Sequence, residues 1–205
     1  ERDAVEVTSS ADLELGIGAN KALTIEGWIR IDAEIAGAVI SKRWTLDPGQ
    51  TDYMLWVQPE VGLVWATGST EDACAWMVTD LPDLHTWHHV AMTWEQDMVG
   101  GFRSYLDGGL VAERDSGPDP LPVINGQAYL GAFQGVSEFT NGQLDEVRIW
   151  ESVRTEEELQ EWMNKPLSGE EEGLLAYYQF DELNGNILPD ISVNEFNGDL
   201  KNMTD

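Results

Sequence analysis

Tryptophan is the residue type in this chain best suited to binding chemistry. The 205 residues include nine tryptophans, a high number for this length. An exposed indole offers an apolar face on which the C–H groups of a sugar can stack, while nearby polar side chains bond its hydroxyls. Trp44 stands alone in a polar loop, with Asp47 and Asp52 close by in the sequence. This combination predicts a saccharide contact at that loop.

Three further tryptophans, Trp56, Trp65 and Trp76, fall on three consecutive predicted strands. Successive side chains of a strand point to opposite faces of the sheet. The three rings would therefore either line one exposed face as a stacking platform or pack between two sheets as core. The sequence leaves both arrangements open.

Groups for covalent or redox chemistry are scarce. Cys74 is the only cysteine, which excludes an internal disulfide and a zinc site of the cysteine type. It lies in the apolar run Ala73–Trp76, which predicts a buried thiol rather than an activated one. No phosphate-binding loop or nucleotide motif appears in the sequence.

The charge of the chain limits its partners. Acidic residues number 38 against 11 basic ones, giving a formal net charge of -27, while hydrophobic residues make up 42% of the chain. That hydrophobic content is enough for a sizeable core. The acidic surface should repel nucleic acid and anionic membranes. It suits divalent cations, cationic partners, neutral ligands or a saline habitat, and it is also compatible with a purely solubilising role.

Targeting signals are not visible in the sequence. No apolar run reaches the roughly 18 residues of a membrane-spanning helix, and no signal peptide is recognised. The chain begins at Glu1 without a methionine, which suggests a processed product or an excised domain from which a targeting segment has been removed.

The elements that would position these residues are mostly short strands. The run Leu23–Ile31 alternates apolar and polar residues, and Trp87–Trp94 alternates in the same way before the hairpin signal Asp107-Gly108-Gly109. One segment differs from the strands. Thr155 with Glu158 forms a capping box, and the apolar residues of this segment recur at helical spacing, which predicts a short helix. More than ten short strands and one helix near residues 154–163 predict an all-β, two-sheet sandwich.

Five stretches in order resemble the laminin-G-like, or concanavalin A-like, jelly-roll domains, a superfamily that includes the pentraxins. The early strand, the short lysine strand, the paired central strands, the late Asp-Glu strand and the tail carry the likeness. They are Leu23–Ile29, Ile40–Lys42, Trp87–Ala91 with Tyr105–Gly108, Gly142–Trp150, and Gly173–Glu182 with its Asn- and Gly-rich continuation. The resemblance spans nearly the whole chain and predicts an antiparallel jelly roll of about twelve to fourteen strands.

The resemblance further implies a single domain over residues 1–205, with residues 173–205 forming a C-terminal strand and a tail packed on it. It assigns the tryptophans of the family strands to the core and His88 and His89 to the support of the fold. The tryptophans in question are Trp28, Trp87, Trp94 and Trp150.

The family's common site is a structural calcium ion, which takes about six to eight oxygen ligands. The resemblance points to Asp3, just before the first strand, and to Asp145, which opens the matching late strand. Asn20, Asn141 and Gln143 are candidates to complete the shell together with loop carbonyls. The alternative is that these acids are ordinary solvated residues at strand ends.

Three functions are compatible with this fold. The first is a non-catalytic, calcium-stabilised, carbohydrate-binding module of an extracellular or cell-surface protein, which neither binds nucleic acid nor inserts in a membrane. The second is a protein-binding adhesion domain, which can form pentraxin-like oligomers. The third is a polysaccharide-cleaving enzyme, which needs two carboxylates across a cleft. The spacing Glu1-x-Asp3-x-x-Glu6 fits a glucanase motif of this fold, but it lies at the chain start and is interpreted as chance.

Overall fold

The computed structural model describes residues 4–7, 22–43, 51–68, 75–116, 127–133 and 137–201. Its elements, in chain order, are β1 (Ala4–Val7), β2 (Ala22–Ile31), β3 (Gly37–Arg43), β4 (Thr51–Gln58), β5 (Gly62–Gly68), β6 (Ala75–Thr79), β7 (Trp87–Glu95), β8 (Phe102–Leu106), β9 (Gly109–Arg114), β10 (Ala128–Leu130), β11 (Gly142–Trp150), α1 (Glu156–Trp162), β12 (Leu174–Tyr178), β13 (Ile187–Leu188) and β14 (Gly198–Lys201).

The strands form two antiparallel sheets. One has eight strands in the order β13-β14-β1-β10-β3-β4-β5-β6, and the other has six in the order β12-β11-β2-β7-β8-β9. The predicted two-sheet sandwich with one short helix in the C-terminal third is thus confirmed. The C-terminal segment adds to both sheets, since β12 pairs with β11 and β14 pairs with β1.

The core lies between the sheets and follows directly from strand alternation. On β2 the inward residues Leu23, Ile25, Ile29 and Ile31 are all buried. Gly27 continues this row, and a Cβ there would lie 3.1 Å from Cγ2 of Val147 on the neighbouring strand. The missing side chain lets β2 and β11 approach each other at that point.

The opposite face of the six-stranded sheet is also partly buried, because α1 packs against it. Leu159 of the helix contacts Ala91 and Tyr105, and Gln160 Nε2 donates to the carbonyl oxygen of Gly108 at 3.0 Å. The helix begins as predicted: Thr155 Oγ1 accepts from the Glu158 N–H, and the Glu158 side chain accepts from the Thr155 N–H. It is shorter than the predicted 154–163.

The hairpin between β8 and β9 has the predicted two-residue loop. Asp107 and Gly108 both have positive φ, 50° and 78°, as a type I′ turn requires. The Asp107 carboxylate bonds Nδ1 of His88 at 2.9 Å and accepts from the His89 N–H at 3.0 Å. Both histidines therefore join the turn to the central strand, which is the structural role expected from the resemblance.

The tail after β12 is organised by polar side chains that bond backbone. Asp190 is buried, and its carboxylate accepts from the N–H groups of Tyr177, Ser192 and Phe196, each at 2.8 Å. This is the behaviour of turn residues. Within the described ranges, no helix has the length and apolar character needed to cross a membrane.

Candidate functional site

A groove of about 320 Å³ opens on the outward face of the six-stranded sheet, where β2, β7 and β11 meet the loop that follows α1. We call it the tryptophan groove. It is lined by Trp28, Trp87, Asp145, Glu146, Met163, Asn164, Lys165 and Pro166. Two indole rings beside carboxylate and amide groups combine an apolar surface with hydrogen-bonding groups, which is what a polar organic ligand needs.

The two tryptophans are brought together by strand register. Trp28 pairs with His89, and Arg30 pairs with Trp87, so Trp28 and Trp87 are diagonal neighbours on one face. Trp28 Nε1 donates to the carbonyl oxygen of Met163 at 2.8 Å, and its ring meets His89 edge-on with centroids 5.6 Å apart. Trp87 is 38% exposed. One ring of the groove is therefore held in place and the other is open to solvent.

The acidic wall of the groove is built by a bulge in β11. Pairing with β2 shifts register between Asp145 and Arg148, and Glu146 adopts a left-handed conformation with φ of 50°. Such backbone is strained for a residue with a side chain. The bulge brings two consecutive carboxylates to the same face, where strict alternation would separate them.

Asp145 remains the available carboxylate of the pair. Its Oδ1 accepts from the Glu146 N–H at 2.9 Å. Partial burial raises the pKa of Asp145, and that hydrogen bond opposes the rise. The weaker repulsion from the carboxylates of Glu146 and Asp181 adds to it. The Asp145 side chain thus lies in a negative environment that a positive or hydrogen-donating group would relieve.

Glu146, in contrast, is engaged through Oε2. Its Oε2 accepts from Arg148 Nη2 and from the Tyr177 hydroxyl, both at 2.6 Å. Arg148 is buried, and it also donates to the carbonyl oxygens of Trp162 at 3.1 Å and Lys165 at 2.8 Å. The arginine thus fixes the loop after α1 against the sheet and holds that wall of the groove.

A buried polar network continues beneath the groove. Glu26, only 2% exposed, bonds His89 Nε2 at 3.0 Å through Oε2 and accepts from Trp150 Nε1 at 2.8 Å through Oε1. Arg148 Nη1 lies 3.9 Å from the same Oε1. Burial by itself raises the pKa of Glu26, but the His89 hydrogen bond and the attraction of His89 and Arg148 outweigh it and lower the pKa.

The tryptophans predicted to form one platform are divided between two faces. On the outward face of the eight-stranded sheet, Trp56 and Trp76 pack around Ala66 as half-buried rings. Trp65 points into the core and is 1% exposed. The register explains the difference, because Leu55 pairs with Trp65 whereas Trp76 pairs with Ala66, one residue along β5. Of the two arrangements that the sequence left open, Trp65 takes the core one, so it is not part of a saccharide site.

The predicted loop site falls largely outside the described residues. Trp44 and Asp47 lie outside the described residues. Asp52 belongs to β4, but its side chain is not among those described. The saccharide contact predicted for this loop stays a prediction.

The predicted calcium ligands are only partly brought together. Asn141 and Gln143 line a cleft of about 740 Å³ at the end of the sandwich, while Asp145 lines the tryptophan groove. Asp32 also lines the cleft, but its carboxylate is bonded to Arg30. Asp3 and Asn20 lie outside the described residues.

The part of the chain that the structure describes holds no group of three or more histidine, cysteine, aspartate or glutamate side chains placed to bind a metal ion. These residues alone therefore do not complete a calcium shell, and calcium binding stays a prediction from the family resemblance.

The two residues missed as site candidates are Trp28 and Trp87, which the family comparison assigned to the core. Trp94 and Trp150 are indeed buried, but Trp87 is exposed. Strand alternation already placed both tryptophans on polar faces in the sequence. Trp87 shares its strand face with His89, and Trp28 shares its face with Glu26. A tryptophan on the polar face of a strand is a better site candidate than one on the apolar face.

Two antiparallel sheets with a short helix on one outward face define a lectin-like β-sandwich. The chain belongs to the laminin G-like family described as the Concanavalin A-like lectin/glucanases superfamily, whose profile matches residues 2–160. Comparison with curated proteins finds no match.

Solved structures share this fold at low sequence identity. A protein from Bacteroides ovatus, provisionally described as carbohydrate binding, superposes with a TM-score of 0.74 at 22% identity. That match covers 100% of this chain but only 57% of the Bacteroides protein.

Two more distant neighbours have the same TM-score of 0.53. A heptameric SAP-like pentraxin from Limulus polyphemus is 14% identical and matches over 77% of this chain and 74% of its own. Botulinum neurotoxin type C, whose cell entry depends on two ganglioside molecules, is 15% identical and matches over 73% of this chain and 37% of its own. These likenesses establish the fold.

Proposed function

We propose that the chain is a non-catalytic carbohydrate-binding module of an extracellular or cell-surface protein and that the tryptophan groove is its saccharide site. The observation that carries this proposal is the pairing of the exposed Trp87 ring with Trp28 and the Asp145 carboxylate in one groove. The indole rings would stack on the sugar, while Asp145 and the exposed amide of Asn164 would bond its hydroxyls. The lectin-type family and the Bacteroides neighbour support the same ligand class.

The arrangement of the acids favours binding without catalysis. Glycoside hydrolysis uses two carboxyl groups on opposite sides of the scissile bond, about 5 to 10 Å apart. Asp145 and Glu146 are consecutive residues on one wall of the groove, and Glu146 is committed to Arg148 and Tyr177. A sugar in the groove would meet one available carboxylate.

Affinity measurements on matched variants test the proposal. A glycan array would first identify a bound saccharide, and calorimetry would then compare Trp87→Ala, Trp76→Ala and Val99→Ala with the parent chain. We expect Trp87→Ala to weaken binding by about tenfold or more, since it removes a stacking ring. Val99, which is 83% exposed on the β7–β8 hairpin, serves as the neutral control.

Two results would count against this site. Loss of binding in Trp76→Ala with full binding in Trp87→Ala would move the site to the eight-stranded sheet. Absence of any bound glycan would remove the carbohydrate function and favour the protein-binding alternative.

A further inference from the structure

The carboxylates of Asp145 and Glu146 line the tryptophan groove, and two basic residues lie in or beneath it. Lys165 lines the groove, but its Nζ lies 5.0 Å from the centroid of the Trp162 ring and 3.3 Å from Glu161 Oε1. Arg148 is 1% exposed and is bonded to Glu146 and to two backbone carbonyls. Arg148 is therefore closed to a ligand, whereas the Lys165 side chain, 51% exposed, is held on the Glu161 side by a surface ion pair.

Asp145, unlike these two basic residues, has no partner of opposite charge among the described residues. Among the described residues, its one hydrogen bond comes from the adjacent Glu146 N–H, and no lysine or arginine pairs with it. The carboxylate of the adjacent Glu146 lines the same groove. A positive group placed beside Asp145 would gain a charge-assisted hydrogen bond in a partly buried position, where such bonds are stronger than in water.

The aromatic rings favour the same kind of group. An ammonium group within about 6 Å of an indole face is attracted by the ring quadrupole. Trp28 is held by its contacts with His89 and Met163, whereas the Trp87 ring is 38% exposed and is open to this contact. The overall net charge of -27 adds a long-range field that draws cations and repels acidic sugars.

Building on the proposed function, we propose that the tryptophan groove selects saccharides that carry a protonated amino group, such as glucosamine units, with the ammonium bonded to Asp145 and the sugar ring stacked on Trp87. Neutral and acidic sugars bind more weakly in the same groove.

The test uses short oligosaccharides of equal length and linkage that differ in one substituent: glucosamine, N-acetylglucosamine, glucose and glucuronic acid. Calorimetry on the full chain compares the parent with Asp145→Asn and with Asp97→Asn. Asp97 is an exposed acid at the hairpin tip, at the opposite end of β7 from Trp87, and its replacement removes the same charge far from the groove. We expect the glucosamine oligomer to bind about tenfold more tightly than its N-acetylated counterpart.

The variants separate site recognition from general attraction. We expect Asp145→Asn to abolish most of the amine preference and Asp97→Asn to retain it. An amine preference that is unchanged in Asp145→Asn would overturn the inference, because it would reflect net charge alone. If Asp145→Asn does not fold, Asp145→Ser, whose hydroxyl can still accept from the Glu146 N–H, replaces it.

The remaining outcomes are also decisive. Equal binding of the amine and N-acetyl oligomers would overturn the amine selectivity while leaving the saccharide function in place. Binding of none of the four would overturn both the selectivity and the proposed function.

Discussion

Glu26 holds a carboxylate in a site almost closed to water, where His89 and Trp150 bond its two oxygens. Its position on β2 is the outward one, which a surface acid would normally occupy. The side chain is buried because the loop after α1, fixed by Arg148, closes over that face. The carboxylate, the histidine and the arginine together form the rigid base on which Trp28 and the β11 bulge rest.

We predict that Glu26→Gln destabilises the fold by about 3 kcal/mol near neutral pH, because removing one member of a buried charged network leaves the others uncompensated. The folded-state pKa of Glu26 is lowered from the ordinary value of 4.5. Its contribution is therefore present above the unfolded-state pKa and is lost as the pH falls through the folded-state pKa.

Urea unfolding between about pH 7 and pH 3 would check this, with the gap between parent and Glu26→Gln narrowing on the acid side of 4.5. The exposed Glu182→Gln is the control and should match the parent throughout. A Glu26→Gln variant as stable as the parent at every pH would show that the network has no such role.

At the scale of elements, α1 begins at the capping box of Thr155 and ends beside the tryptophan groove. Its seven residues would not hold together as an isolated helix. The capping box fixes its start, and its end supplies the Met163 carbonyl to Trp28 and the Trp162 carbonyl to Arg148. Movement of the helix would therefore displace one wall of the tryptophan groove.

We predict that Thr155→Ala lowers the free energy of unfolding by about 1 kcal/mol and that Thr155→Ser leaves it nearly unchanged, since serine keeps the oxygen that accepts from the Glu158 N–H. Denaturant unfolding of the three proteins would measure this. Equal stability of the alanine and serine variants would mean that the box contributes nothing measurable.

These elements show how far local sequence rules reach. The capping box, the Asp107-Gly108 turn and the inward row of β2 are set by neighbouring residues, and all three are predicted correctly. For Trp65, alternation predicts which residues of its strand share its face. It does not say whether that face of the sheet is buried or exposed. The groove could not be predicted at all, since Trp28 and Met163 are 135 residues apart and meet only in the folded chain.

At the scale of the whole molecule, a net charge of -27 implies strong self-repulsion in the compact state. Salt should raise the melting temperature by screening. Calcium binding, which the family resemblance predicts, would add to this, because a ligand bound only by the folded state stabilises it by about 2.7 kcal/mol at a hundredfold excess over its Kd.

We therefore predict that calcium raises the melting temperature more than magnesium at the same ionic strength and that a chelator reverses the difference. Calorimetric scans of one preparation under the three conditions would measure it. Identical melting temperatures in calcium and magnesium would mean that the acids act only through their total charge.

The central claim is that the tryptophan groove holds the saccharide, and the nine indole N–H signals of the chain report on it directly. In a two-dimensional ¹H–¹⁵N spectrum, assigned by tryptophan-to-phenylalanine variants, titration with a bound oligosaccharide should shift the Trp87 and Trp28 signals. The signals of Trp56, Trp65 and Trp76 should stay in place. Shifts confined to those three, with Trp28 and Trp87 unmoved at saturation, would contradict the account.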